Sequence, residues 1–72
     1  MDSLTNIKKQ YNHNLVRFSN GCEYIGKHME EKEKYLPELM IIVKDLGLIV
    51  DIMANNGYIM TDTEIEKGFI NI

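Results

Sequence analysis

Few side chains in this sequence could carry chemistry, and their spacing is poor for it. The residues that could bind a metal ion, or act as nucleophile and base, are His13, Cys22, Glu23 and His28. No two of them stand four residues apart, the spacing that brings two metal ligands together on one helix, and a single cysteine cannot form a C-x-x-C pair. We therefore expect no metal site and no cofactor.

Catalysis is equally unsupported. A cysteine nucleophile needs a base within hydrogen-bond reach, but on one continuous helix Cys22 would point to the core and His13 away from it. We expect Cys22 to be a small buried apolar residue. The acidic pairs Glu30-Glu31 and Glu64/Glu66 lie in segments that we expect to be exposed, and nothing there points to a carboxylate suited to acid–base catalysis. The sequence therefore predicts a protein that is not an enzyme.

A row of polar residues at helical spacing is the best candidate for contact with an anionic partner. Its members are Lys9, His13, Arg17, Asn20, Tyr24 and Lys27. Basic residues mixed with an aromatic ring can follow a phosphate backbone or an acidic protein surface. The net charge is +2 for residues 1–28 and −3 for the whole chain, which is unlike the strongly basic balance of nucleic-acid-binding domains. A solvated face is the simpler interpretation, and a small nucleic-acid-binding accessory protein is the alternative function.

These residues lie in a segment whose apolar positions recur every three or four residues. The apolar positions are Leu4, Ile7, Tyr11, Leu15, Phe18, Cys22, Ile25 and Met29. This period predicts a helix over residues 3–28, with Ser3 or Thr5 as the N-cap. Asn20-Gly21 supports a rival interpretation, because this dipeptide is the strongest short signal for a β-hairpin turn. Neither face of such a hairpin would be cleanly apolar, so we favour the helix.

The second helix, over residues 31–55, is apolar on two sides. The stripe expected to face the first helix contains Leu39, Val43, Leu46, Val50 and Met53, joined by Ile42 and Ile49. A second ridge of Ile41, Leu48 and Ile52 lies on the opposite side, although a helix in a small domain needs only one apolar stripe. The C-terminal tail, a second copy of the chain or a different protein could cover this ridge. We favour self-association.

Helix boundaries are marked by proline, glycine and a capping motif. Pro37 suits the first turn of a helix, whereas a helix that begins near Glu30 would be kinked at Pro37. Gly57 is well placed to end the same helix. Thr61 and Glu64 match a capping box, which predicts a short helix from Asp62 to Lys67 that Gly68 closes. Phe69, Ile70 and Ile72 then form an apolar tail, which we expect to pack against the hairpin or a partner.

Together these elements predict one all-α domain over residues 1–72: an antiparallel helical hairpin with a short C-terminal helix. A chain of 72 residues buries only about 60% of its unfolded surface, so its stability is marginal without help. With one cysteine there is no internal disulfide, which leaves oligomerisation as the expected stabiliser. We therefore expect a homodimer that resembles a four-helix bundle, with another protein as the second choice of partner.

The expected setting is cytoplasmic, without membrane contact. The longest apolar run, residues 39–43, is far shorter than the 18 or more residues needed to cross a bilayer, and no secretory signal is visible. Small size without recognisable chemistry is typical of accessory proteins of bacteria and their mobile elements. The sequence thus predicts a non-enzymatic interaction protein, regulatory or inhibitory, that acts through helix surfaces.

Overall fold

The computed structural model describes residues 3–70, and these residues form a helical hairpin with a third, short helix. Helix α1 spans Ser3–Lys27, a 3-10 turn follows at Met29–Glu31, helix α2 spans Lys32–Asn55 and helix α3 spans Asp62–Lys67. No strand occurs in the part of the chain that the structure describes. The all-α class, the two long helices and the C-terminal helix are confirmed, whereas Ile72 of the expected tail lies outside the described residues.

Helix α1 runs without a break through Asn20-Gly21, so the β-hairpin alternative is wrong. Gly21 has no positive φ angle, and its role is different from that of a turn residue. A Cβ atom at Gly21 would collide with the side chain of Leu39 on α2. A side chain at this position would therefore require the Leu39 side chain to shift.

The two long helices pack antiparallel. The rings of Tyr24 and Tyr35 meet edge to face near the turn, with their centroids 5.1 Å apart. Further along, Tyr11 belongs to the same buried cluster as Ile49 and Met53. Residues near the end of α1 therefore contact the start of α2, and residues near the start of α1 contact the end of α2, as in a helical hairpin.

Helix α2 faces α1 along a slightly different line from the expected stripe. Its buried residues are Leu39, Ile42, Ile49 and Met53, which with the half-buried Leu46 repeat every three or four residues. This line keeps the heptad spacing of two packed helices. Val43 lies to one side of it and is half exposed, so its expected place against α1 is wrong.

Two residues of the expected apolar face of α1 are also exposed. Cys22 and Met29 are in solvent, contrary to the prediction that Cys22 is buried. Leu15, on the same flank of α1, packs against the core cluster and lies next to Gly68 in the C-terminal segment. The C-terminal segment covers this flank near Leu15. Cys22 and Met29, which lie 7 and 14 residues further along the chain, are not covered.

Helix α2 starts one residue later than predicted, and Pro37 is its sixth residue instead of a first-turn residue. Because proline has no N–H group, it cannot donate to the carbonyl oxygen of Glu33 one turn earlier. The helix ends as expected: Gly57 has a φ of 87°, its N–H donates to the Ala54 carbonyl, and the N–H of Tyr58 donates to the Met53 carbonyl. These two bonds form a Schellman motif.

Helix α3 is confirmed at both ends. The Thr61 hydroxyl accepts from the Glu64 N–H, and the Glu64 carboxylate accepts from the Thr61 N–H at 3.0 Å. This backbone bond, with a second from the Tyr58 hydroxyl, lowers the pKa of Glu64. At the other end Gly68 has a φ of 82°, and a Cβ atom there would meet the Asn12 side chain. Glycine is required on both counts.

The C-terminal segment docks on α1 through two polar residues in an otherwise apolar core. The Tyr11 hydroxyl donates to the Ile65 carbonyl at 2.6 Å, and burial raises the pKa of this tyrosine. The Asn12 amide donates to the Phe69 carbonyl and accepts from the Phe69 N–H, both at 2.7 Å. Around these bonds lies the main core cluster, formed by Tyr11, Ile49, Met53, Met60 and Phe69. Ile70 beyond it is exposed.

Candidate interaction surfaces

The outer face of α2 is the largest set of exposed apolar side chains on one element. We use this name for six residues between 37% and 69% exposed: Leu36, Met40, Ile41, Val43, Leu48 and Ile52. These side chains are exposed because they lie on either side of the line of α2 residues that is buried against α1, and so they point away from α1. Scattered exposed apolar residues are normal in proteins, whereas a concentration on one helix marks a binding surface.

This outer face carries few charges. On the arc opposite the buried line, α2 carries Glu33 in its first turn and, further along, Lys44 and Asp51 a heptad apart. Between them lies Gly47, around which the space that a Cβ atom would occupy is open. In a solvated helix such a glycine costs about 1 kcal/mol relative to alanine.

The predicted ridge of Ile41, Leu48 and Ile52 is exposed within one chain. The described part of the C-terminal tail does not cover it: Phe69 is buried, but against Tyr11 and the core on the other side of α2, and Ile70 is exposed. Ile72, the last residue of the tail, lies outside the described residues. The rest of the outer face was missed by sequence reasoning, although Leu36, Met40 and Val43 are themselves spaced at four and three residues.

The basic row on α1 stays on one face of the helix, and all six of its members are exposed. Lys27 forms an ion pair with Glu23 at 3.1 Å. Arg17 and Tyr24 also line a groove toward α2, and Tyr24 packs on Tyr35. The structure thus keeps the row together, with its aromatic member at the edge of this groove.

Tyr24 organises a polar cluster at the turn end of the hairpin. Its ring stacks on His28 with centroids 4.4 Å apart, and its hydroxyl donates to the Glu31 carboxylate at 2.5 Å. The hydrogen bond to Glu31 is the main reason that the pKa of Tyr24 is raised. A backbone hydrogen bond also holds the turn, in which the Glu31 N–H donates to the His28 carbonyl. These contacts fix the reversal between α1 and α2.

The same cluster contains the one grouping of metal-type ligands found among residues 3–70. Ligand atoms of His28, Glu30 and Glu31 lie within 4.8 Å of one another. Of the predicted candidates only His28 takes part, and the structure does not bring it together with Cys22. His28 is 3.6 Å from Glu30, and Glu31 is already hydrogen-bonded to Tyr24. These side chains therefore contact one another and Tyr24 within the turn between α1 and α2.

An open groove of about 370 Å³ separates the two long helices above Gly21. Gly21 is part of its lining, Leu39 and Ile42 form its apolar part, and Arg17 and Glu38 stand at its polar part. It has the size of a small-ligand site, but such sites combine enclosure with convergent polar groups. This groove is shallow, so we assign it no ligand.

In the described part of the chain, no helix is long and apolar enough to cross a membrane. Comparison of the chain with known proteins adds no relationship: no protein-family model, no curated protein and no solved structure matches it.

Proposed function

We propose that this protein is a small non-enzymatic interaction protein that works through the outer face of α2, and that it associates with itself through this face. The observation that carries the proposal is the set of six exposed large apolar side chains on a single helix, in two lines that flank Lys44 and Asp51. Water contact with this surface is unfavourable by about 25 cal/mol for each Å² of apolar area, so burial against another protein surface is favoured.

The accessible surface of the chain supports the same proposal. It measures 5412 Å² for a mass of 8.4 kDa. A folded monomer of that mass typically exposes about 4,600 Å². The excess of roughly 800 Å² is close to the area that each partner buries in a standard protein–protein interface. A regulatory or inhibitory role fits a protein that offers such a surface and little reactive chemistry.

The experiment is sedimentation equilibrium of the purified chain and two variants. Leu48→Asp places a carboxylate in the middle of the outer face, where burial of an unpaired charge strongly opposes association. Val16→Asp is the matched control, because Val16 is equally exposed but lies on α1. We expect a dimer mass at micromolar concentration for the wild type and the control, and a monomer mass for Leu48→Asp.

A wild type that stays monomeric throughout the micromolar range would contradict self-association. Equal dimerisation of all three proteins would show that association uses another surface. Because both substituted positions are half exposed, circular dichroism should report the same helix content for all three proteins.

A further inference from the structure

The partner that the outer face of α2 fits best is α2 of a second copy in antiparallel orientation. We infer that two chains pair across a twofold axis that passes beside Gly47 and Leu48. This inference rests on the proposed function and adds the register, the direction and the residues that meet. It is argued from the order of charges and side-chain sizes along α2.

Lys44 and Asp51 of the outer face complement the same residues of a second copy when the two helices are antiparallel. Lys44 lies three residues before Gly47 and Asp51 lies three residues after Leu48, so the two charges are equidistant from the midpoint of the pair. With the axis at that midpoint, Lys44 faces the partner's Asp51 and Asp51 faces the partner's Lys44. Parallel pairing in register would instead place Lys44 beside the partner's Lys44, and Asp51 beside the partner's Asp51. Like charges at such positions oppose association.

The sizes of the side chains fit the same axis. Gly47 is open to solvent on its Cβ side, and at a helix crossing a glycine allows two backbones to approach closely. Antiparallel twofold symmetry sets the same flank of each helix against itself. Leu48 then packs against the partner's Leu48, and Ile41 lies next to the partner's Ile52. This pairing covers all three residues of the half-exposed ridge, Ile41, Leu48 and Ile52.

Disulfide trapping tests the direction and register of this pairing. All variants carry Cys22→Ser, because Cys22 is exposed and would react. Single cysteines are introduced as Gly47→Cys, Lys44→Cys and Asp51→Cys, and mild oxidation is followed by non-reducing electrophoresis. A disulfide needs Cα atoms within about 7 Å. We expect rapid cross-linking of Gly47→Cys alone, little for Lys44→Cys alone, and rapid mixed cross-linking when Lys44→Cys and Asp51→Cys are combined.

Charge reversal provides a second measurement with its own control. Lys44→Asp or Asp51→Lys alone creates two like-charge contacts and should weaken the dimer by about tenfold at low salt. The double variant restores opposite charges and should return the dissociation constant to within about threefold of the wild type. Lys9→Asp, a reversal on the exposed side of α1, should leave the constant unchanged.

The two levels of the proposal fail differently. A wild-type chain that is monomeric in the sedimentation experiment removes the proposed self-association, and the register with it. A dimer in which Lys44→Cys alone cross-links rapidly while the mixed pair does not, or in which the double charge variant fails to recover, would leave self-association standing and overturn the antiparallel register.

Discussion

Asn12 is the single residue whose polar contacts most clearly hold the fold together. Its side-chain amide forms hydrogen bonds with both the N–H and the carbonyl group of Phe69, 57 positions away in sequence. The same side chain lies against Gly68. An amide is the side chain that can donate and accept at once from one end. Sequence reasoning missed it, because a polar residue on a helix gives no sign of a distant backbone partner.

We predict that Asn12→Ala lowers the free energy of unfolding by about 1–3 kcal/mol, because it leaves two backbone groups of Phe69 without their partner. Asn6→Ala is the control: Asn6 is an exposed residue of the same helix, where alanine is the better helix former. Urea unfolding followed by circular dichroism measures both. Equal stability of the two variants would show that the contact with Phe69 contributes nothing.

At the scale of elements, the sequence predicted those parts of the fold that depend on local signals. The 3.6-residue period, the capping box at Thr61 and the glycine after α2 gave three helices whose ends agree with the structure within one or two residues. The errors concern which neighbour covers which flank. Cys22 and Val43 have the spacing of core residues, but Cys22 is not covered by the C-terminal segment, and Val43 lies to one side of the line that faces α1. The contact of the C-terminal segment with α1 is between residues far apart in sequence.

The glycines of α1 provide a test of how the two long helices fit together. Gly26 has open space on its Cβ side, so Gly26→Ala should raise the free energy of unfolding, by at most about 1 kcal/mol, through helix propensity. Gly21→Ala brings the same propensity but pushes Leu39 out of its place, and overpacking of this kind costs about 1–3 kcal/mol. We expect thermal unfolding to rank Gly26→Ala above the wild type and Gly21→Ala below it. The reverse order of the two variants would mean that the helices are not in close contact at Gly21.

The whole molecule is elongated, and this shape exposes the outer face of α2. Its radius of gyration is 13.6 Å and its longest extent is 43 Å. A compact chain of this length would have a radius of gyration of about 11 Å. The main core cluster lies at the end of the hairpin where the C-terminal segment docks. In the sequence, the candidate interface could be recognised only as a second apolar ridge on α2, because the surface that would cover it belongs to another molecule.

The proposed function therefore requires that association stabilises this small fold. The direct measurement is thermal unfolding of the wild type at two concentrations, about 2 µM and 200 µM, with Leu48→Asp alongside. If the folded chain is a dimer, mass action raises the unfolding temperature of the wild type with concentration. We predict an increase of several degrees for the wild type and none for Leu48→Asp. An unfolding temperature of the wild type that is the same at both concentrations would contradict the central claim.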